Sequence, residues 1–369
     1  MSTEKPFKLR YSLILPALIY RLIVGIRNLL FNWGILPSEE YQVPVISIGN
    51  LSLGGTGKTP HTEYLIRLLK EKYRVAVLSR GYKRRTNGFL LAGDTDTALT
   101  IGDEPFQMKR KFPDVLIAVD GNRRRGIQNL LELPEHQKPE IILLDDAFQH
   151  RYVIPSFSIL LTDYNRLYYK DQLFPFGFLR EPKSNMHRAN MIIVTKCEED
   201  LHPIDFRVIV GEMKLFPYQH LYFTRITYGE TEPVFPLRTE SATAGNYLNA
   251  ENEALLLSGI ASPALFIQEA ERRFRKVHPM LFPDHHVFDK QDIRKIKETF
   301  NRLNSPDKFI LVTEKDAARI LHNPFFPDEW KQLTYYLPIR IDFCTKTTLS
   351  FDDCIRKHII TFQQNNIFH

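Results

Sequence analysis

Ser52-Leu53-Gly54-Gly55-Thr56-Gly57-Lys58-Thr59 follows an apolar run, Val43 to Ile48, and precedes the helix-patterned segment His61 to Lys70. A glycine-rich loop between a strand and a helix is the context of a phosphate-binding Walker A loop. Glycines let backbone N–H groups turn toward a phosphate, and the new helix adds its positive dipole end. Lys58 is expected to bridge the β- and γ-phosphates of a nucleotide, and Thr59 to offer its hydroxyl to Mg²⁺. Ser52 stands where the motif usually opens on a glycine, while Pro60 falls in the first helical turn, where its missing N–H is tolerated.

Outward from this loop, short apolar runs alternate with helical segments. The expected strands are Val43 to Ile48, Arg74 to Leu78, Leu116 to Val119, Ile141 to Leu144, Phe157 to Leu161 and Met191 to Val194. They predict an α/β fold, a P-loop NTPase-type mostly parallel sheet with helices on both faces. The pattern loosens beyond Val210, with an antiparallel stretch expected at His220 to Tyr228 and a polar region at Thr239 to Asn252. Two strand-then-helix units follow, Ala254–Ile260 into Pro263–Phe274 and Phe309–Val312 into Ala317–Leu321, predicting a smaller C-terminal α/β domain. The expected division is 1–36, 37–215 and 216–369.

Residues 1–36 form the first of these. Phe7 to Leu36 is rich in Leu, Ile, Tyr and Phe, but Lys8, Arg10, Arg21 and Arg27 interrupt it, and no stretch is expected to reach the ~20 apolar residues of a spanning helix. A helix with Pro16 as its kink, an apolar face, several cations and Trp33 near its end has the composition of an in-plane interfacial helix. A helix docked on the core is the alternative. A signal peptide is a weaker one, because no small-x-small cleavage site follows Tyr11 to Tyr20.

Composition narrows the class. The chain has 369 residues, 43% of them hydrophobic and 25% charged, which excludes a disordered chain and a polytopic membrane protein. A net charge of +6 points to an anionic partner without choosing among a phosphorylated substrate, an acidic lipid surface and nucleic acid. Cys197, Cys344 and Cys354 form no CxxC pair and lack histidines at metal-ligand spacing, so a disulfide framework and a zinc site are both disfavoured.

Ile141-Ile142-Leu143-Leu144-Asp145-Asp146 is an apolar strand ending in two acids, the form of a Walker B element. Adjacent side chains at a strand end point to different sides, so one carboxylate is expected at a Mg²⁺ ion and the other at substrate or a neighbouring loop. Plain capping is the alternative. Gly102-Asp103-Glu104-Pro105 is a compact acidic turn that by itself reads more often as a surface cap; a kinase acting on an alcohol needs such a carboxylate to take the hydroxyl proton. Phe282-Pro283-Asp284-His285-His286 sets two imidazoles beside an acid, open to a metal-binding or a surface reading, and His285 is a candidate to bond Asp103 across an interdomain cleft. Arg80-Gly81-Tyr82-Lys83-Arg84-Arg85 and Arg123-Arg124-Arg125 follow strands, at the edge where open α/β sheets bind ligands. Their alternative is solvated charge at loop tips. Leu173 to Pro182 mixes aromatics with Arg180-Glu181-Pro182, a composition suited to acyl chains as well as to nucleotide and metal.

Together these elements resemble the tetraacyldisaccharide 4'-kinase family. The resemblance is carried by Ile48-Gly49-Asn50, Gly54 to Pro60, Ser79-Arg80-Gly81-Tyr82, Gly102 to Pro105, Asp145-Asp146-Ala147-Phe148-Gln149-His150, Leu179 to Pro182, Phe282 to His285 and Thr313-Glu314-Lys315-Asp316. It implies ATP- and Mg²⁺-dependent phosphorylation of the 4'-hydroxyl of a lipid A disaccharide 1-phosphate, at the cytoplasmic face of the bacterial inner membrane, by a peripheral or monotopic protein. No nucleic acid and no obligate protein partner is implied. Asp103 paired with His285 becomes the base, with Lys58 and Arg180 offsetting phosphoryl charge. Thr59, Asp145, Asp146, Glu104 and Glu181 become metal candidates, and Arg80, Tyr82, Arg123, Arg124, Gln149 and His150 substrate candidates. Ala147 occupies a place where relatives often carry glycine. Two rival classes remain. Val194-Thr195-Lys196-Cys197 is a loose likeness of a guanine-reading motif without its acid, and the arginine clusters would also suit a nucleic-acid-dependent ATPase.

Overall fold

A computed structural model describes residues 13–235, 248, 251–344 and 349–367. Lys8 and Arg10, and most of the polar region expected from Thr239 to Asn252, lie outside the described residues. The chain forms two compact units, residues 1–80, 122–225 and 342–369 in the first and 81–121 and 226–341 in the second.

In the first unit six parallel strands lie in the order His220–Tyr228, Met191–Thr195, Phe157–Asp163, Val45–Asn50, Ile141–Asp145 and Val75–Ser79. Their interiors read as unbroken apolar runs because both faces are covered: all residues of Val45–Asn50, Val75–Ser79 and Ile141–Asp145 are buried. The strand Val45–Asn50 has Ile141–Asp145 on one side and Phe157–Asp163 on the other, so the chain changes direction across the sheet at the carboxyl end of the strand that feeds Ser52–Thr59. That is where an open α/β sheet leaves a crevice. His220–Tyr228 lies beside Ile339–Phe343 in the antiparallel sense expected, with bonds from Cys344 N to Phe223 O and from Gly229 N to Pro338 O, and on its other side it runs parallel to Met191–Thr195. The parallel partner is reached by the crossover helix Pro203–Met213 rather than by a tight turn, and such a connection returns the chain in the same direction.

The second unit carries its own sheet, with Lys276–Leu281, Glu253–Ser258, Lys308–Thr313 and Thr334–Leu337 parallel and Glu232–Pro233 antiparallel at the edge. Lys276–Leu281 was not anticipated; Pro279 and its half-exposed alternation hide it, as befits an edge strand. The contiguous division 37–215 and 216–369 gives way to an interleaved one. Residues 81–121 leave the first unit because the helix Asp103–Lys111 packs on the helix Glu314–Ile320, burying Phe106 and Met108. The C-terminal helix Phe351–Ile367 belongs to the first unit, where Tyr64 donates to Asp352 at 2.9 Å and packs edge-on against Phe351.

The N-terminal helix spans Ile14–Asn32 without a break. Pro16 is its third residue, inside the turn whose N–H groups have no helical acceptor, so it starts the helix instead of kinking it. By length and composition this helix could cross a membrane, which corrects the expectation that no stretch is apolar enough. One stripe is fastened to the first unit: the Tyr20 hydroxyl donates to the Arg180 carbonyl at 2.8 Å, Arg27 to the Gln149 carbonyl at 3.1 Å, and Arg151 to the Asn28 carbonyl at 2.9 Å. The opposite face leaves Leu15, Leu18, Leu22, Ile23 and Trp33 more than half exposed.

Candidate active site

The loop after Val45–Asn50 is built by backbone geometry. Ser52 pairs with Leu179 in an antiparallel bridge, and flanking bonds run from Leu53 N to Phe178 O and from Arg180 N to Leu51 O, each 2.7 Å. Extended pairing at Ser52 places no demand for glycine there, which explains how the motif's usual first glycine can be replaced. Gly54 (φ +101°) and Gly57 (φ +81°) do need the left-handed region, where a Cβ would be strained. Gly57 caps the helix Lys58–Leu69, so Lys58 and Thr59 are its first two residues.

His61 secures that first turn. Its Nδ1–H donates to the Gly57 carbonyl at 2.7 Å and its Nε2 accepts from Thr224 Oγ1 at 3.0 Å. Burial pushes its pKa down to about 4, so the ring is neutral. From the other side, Thr195 Oγ1 donates to the Thr56 carbonyl at 3.0 Å and Lys196 Nζ to the Gly55 carbonyl at 2.5 Å. Lys196 is also paired with Asp163 at 2.7 Å. The Val194-Thr195-Lys196-Cys197 segment thus braces the loop through its carbonyls.

Asp145 and Asp146 part company at the strand end. The buried Asp145 accepts from Thr62 Oγ1 at 3.2 Å and from Ser79 Oγ at 3.4 Å. Asp146 lies 3.5 Å from Lys58 Nζ and 3.3 Å from an Arg180 guanidinium nitrogen. Burial works to raise its pKa, but the Lys58 and Arg180 charges outweigh it and hold the carboxyl below its usual value. Asp146 takes φ +49°, an uncommon conformation for a non-glycine residue and one found at functional turns. The left-handed residue is Asp146 and not its neighbour, so Ala147 fits without a glycine's freedom.

Of the other candidates in this unit, Gln149 donates to the Asn50 carbonyl at 2.7 Å, and His150 Nε2 accepts from Arg123 N at 3.4 Å. Burial lowers the His150 pKa to about 4, helped by Arg123, Arg27, Arg80 and Arg124. Arg123 is buried, its guanidinium on the Asp145 carbonyl at 3.1 Å, whereas Arg124 is taken up by Glu39 at 2.9 Å. Arg80 is exposed. Glu181 differs from expectation: it is buried with Arg188, Arg27 and Asn185, so its charge is consumed by the frame that holds Arg180.

Asp103 and His285 belong to the same compact unit, which removes the expectation of a bond across two domains. His285 Nδ1 is 3.1 Å from Asp103 Oδ2, and the exposed Tyr82 ring meets the imidazole edge to face with ring centroids 5.3 Å apart. His285, like Asp146, is left-handed, with φ +59°. Burial would raise the Asp103 pKa, but His285, Arg319 and Lys315 together lower it to about 2. Glu104 pairs with Lys315 at 3.1 Å in this cluster. Sequence reasoning missed Arg319, which follows the quoted Thr313-Glu314-Lys315-Asp316 by three residues, and gave Lys315 no role.

Comparison with known proteins identifies the family. A family model described as tetraacyldisaccharide-1-P 4'-kinase matches residues 9–359. The chain is similar to the tetraacyldisaccharide 4'-kinases of Parabacteroides distasonis, 53% identical over 99% of each chain, and Bacteroides thetaiotaomicron, 49% identical over 94% of this chain and 92% of that one. The crystal structure of LpxK from Aquifex aeolicus in complex with ATP superposes with a TM-score of 0.72 at 26% identity, covering 96% of this chain and 99% of that chain. A match of this extent, on a braced phosphate-binding loop and an acid–imidazole pair, places the chain in the tetraacyldisaccharide 4'-kinase family.

Proposed function

We propose that this chain transfers the γ-phosphoryl group of ATP to the 4'-hydroxyl of a tetraacyldisaccharide 1-phosphate, giving the 4'-phosphorylated lipid A precursor. The observation that carries the proposal is the Lys58–Asp146–Arg180 constellation under a loop with both required left-handed glycines, in a chain matched to the kinase family almost end to end.

In this reading the N–H groups of residues 54–59 and the Lys58 ammonium hold the β- and γ-phosphates. Thr59 and Asp146 would hold Mg²⁺, with Asp145 orienting the strand end. Their chemistry fits: two hard oxygen donors beside phosphates suit a cation that keeps several waters. Among the described residues no cluster of three or more His, Cys, Asp or Glu side chains could hold a metal ion alone. When bound, the ion supplies positive charge against the transferring phosphoryl group. Arg180, steadied by its ion pair with Asp146, adds to it.

Asp103 accepts the proton of the 4'-hydroxyl as that oxygen bonds to the γ-phosphorus. The bond from the γ-phosphorus to the β–γ bridging oxygen breaks, and ADP leaves with that electron pair. Its low pKa keeps the carboxylate ionised at neutral pH, the form a base needs. Arg80, Tyr82, Arg123, Gln149 and His150 are assigned to the substrate's sugar and 1-phosphate. Arg124 and Glu181 are assigned to the frame, and Glu104 to Lys315.

We assign the exposed face of Ile14–Asn32 to the cytoplasmic surface of the inner membrane. The helix is fastened along one stripe through Tyr20, Arg27 and Asn28, so lipid cannot surround it while it stays docked. A monotopic seat satisfies both faces, and each buried Leu or Ile contributes roughly 1.5–3 kcal/mol. The test is to incubate the protein with labelled ATP, Mg²⁺ and disaccharide 1-phosphate lipid in detergent. A bisphosphorylated product is expected, and ATP turnover without transfer to the lipid would overturn the reading.

A further inference from the structure

The helix Glu314–Ile320 sends two cations, four residues apart and therefore on one face, into the Asp103–His285 pair. Arg319 donates from Nε at 3.0 Å and from Nη2 at 2.6 Å to Asp103 Oδ2, the same oxygen that His285 Nδ1 reaches at 3.1 Å. Three donors saturate that oxygen. Among the described residues none donates to Oδ1, and the side chain keeps 18% of its surface open. The 3.3 Å approach of Arg319 Nη2 to His285 Nδ1 is then two donors converging on one acceptor.

Arg319 is itself immobilised. Its Nη1 donates to Asp316 Oδ1 at 2.7 Å and to the Gly259 carbonyl at 3.1 Å, and its side chain is 6% exposed. Asp316 is fully buried, its Oδ2 taking Thr313 Oγ1 at 2.6 Å and Gly259 N at 2.8 Å. Swinging the guanidinium away would strip a buried carboxylate of its cation, a strongly unfavourable change.

At the other end of the pair, Lys315 Nζ stands 3.1 Å from His285 Nε2. An ammonium has donors and no acceptor, so Nε2 must present its lone pair. The ring proton then sits on Nδ1 and faces Asp103. Lys315 is kept in place by Glu104 at 3.1 Å and Asp284 at 3.7 Å.

We propose that Lys315 and Arg319 are positioning residues that grip the acid–imidazole pair from its two ends, selecting the Nδ1–H tautomer of His285 and presenting Oδ1 of Asp103 as the proton-accepting atom. The inference rests on the reading of Asp103 as the base. Arg319 acts by geometry: two nitrogens of a rigid fork fix the carboxylate plane, which the single point charge of a lysine cannot do while also serving Asp316. Lys315 acts through the ring nitrogen it touches.

The experiment compares Arg319→Lys, Lys315→Met, Lys315→Gln and Asp103→Asn in the full-length protein, with Tm, steady-state kinetics and ¹⁵N spectra of histidine-labelled protein. Arg319→Lys is expected to lower kcat about 10–100-fold with KM for ATP within about twofold, because misaiming a reacting group acts on turnover and not on nucleotide binding. Lys315→Met is expected to lower kcat about tenfold and to let the Nε2–H tautomer of His285 appear, whereas Lys315→Gln, whose amide still donates, keeps Nδ1–H and most of the activity. The spectrum reads the ring directly, so a variant that only loses stability is told apart. Unchanged kcat in both Arg319→Lys and Lys315→Met, with Asp103→Asn inactive, would overturn the grip and leave the base in place. An unaltered His285 tautomer in Lys315→Met would do the same for the lysine. Full turnover by Asp103→Asn would remove the base and the grip with it.

Discussion

Asp146→Asn should move nucleotide binding in opposite directions with and without magnesium. Without ATP, Asp146 holds Lys58 at 3.5 Å and Arg180 at 3.3 Å, so both cations that are to meet the phosphates are already paired. A Coulomb energy at 3.5 Å and an effective dielectric near 20 is about 5 kcal/mol. The Asp146 side chain is 34% exposed, and solvent screening with side-chain entropy reduces the net coupling to about 1 kcal/mol. Asparagine is nearly isosteric and accepts the left-handed φ of +49°, so the turn should survive. Releasing Lys58 is then worth about a fivefold tighter Kd for metal-free ATP. With Mg²⁺ present, loss of the carboxylate proposed to hold the ion should lower kcat by about two orders of magnitude, equivalent to about 3 kcal/mol. Calorimetric titration of ATP in EDTA, set beside labelled-phosphate transfer in Mg²⁺, measures both arms. Weaker metal-free binding, or unaltered transfer, would refute the reasoning.

Lys58→Ala should abolish transfer and weaken ATP binding by at least about tenfold, read by the same titration, since it removes the one cation of the loop itself. Gly57→Ala forces a Cβ into φ +81°, which should lower stability by about 1–2 kcal/mol in denaturant melts and weaken ATP binding together. Acid should destabilise the protein in two steps. The neutral His61 and His150, with pKa values lowered from the usual 6.5 to about 4, contribute stability that is full above pH 6.5 and is lost as pH falls toward 4. Asp103, lowered from 3.8 to about 2, contributes on the order of 2 kcal/mol that is lost from about pH 4 down to about pH 2. A Tm series should show the first step and, in His61→Gln, a shallower one. Leu22→Ser with Ile23→Ser, on the exposed face of the first helix, should reduce flotation with anionic vesicles while leaving Tm and activity on a detergent-dispersed substrate intact; equal flotation would argue against that face as the seat.

Features settled within a few residues of one another were legible in the sequence alone. The Ser52–Thr59 loop, the apolar strand ending at Asp145-Asp146 and the basic apolar N-terminus each depend on neighbours along the chain: glycines for left-handed turns, unbroken hydrophobicity for strands covered on both faces, and residue order between strand and helix. Tertiary packing decided the rest. Arg319 meets Asp103 across 216 positions, so nothing near either residue signals the other. Residues 81–121 join the second unit because one face of Asp103–Lys111 finds its apolar partner on Glu314–Ile320, and hydrophobic burial is non-directional and carries no mark of which distant segment will supply it. Likewise Glu181 looked available for a metal in sequence, yet burial beside Arg27 and Arg188 spends its charge, because an acid removed from water must be neutralised by whatever cations the fold brings to it.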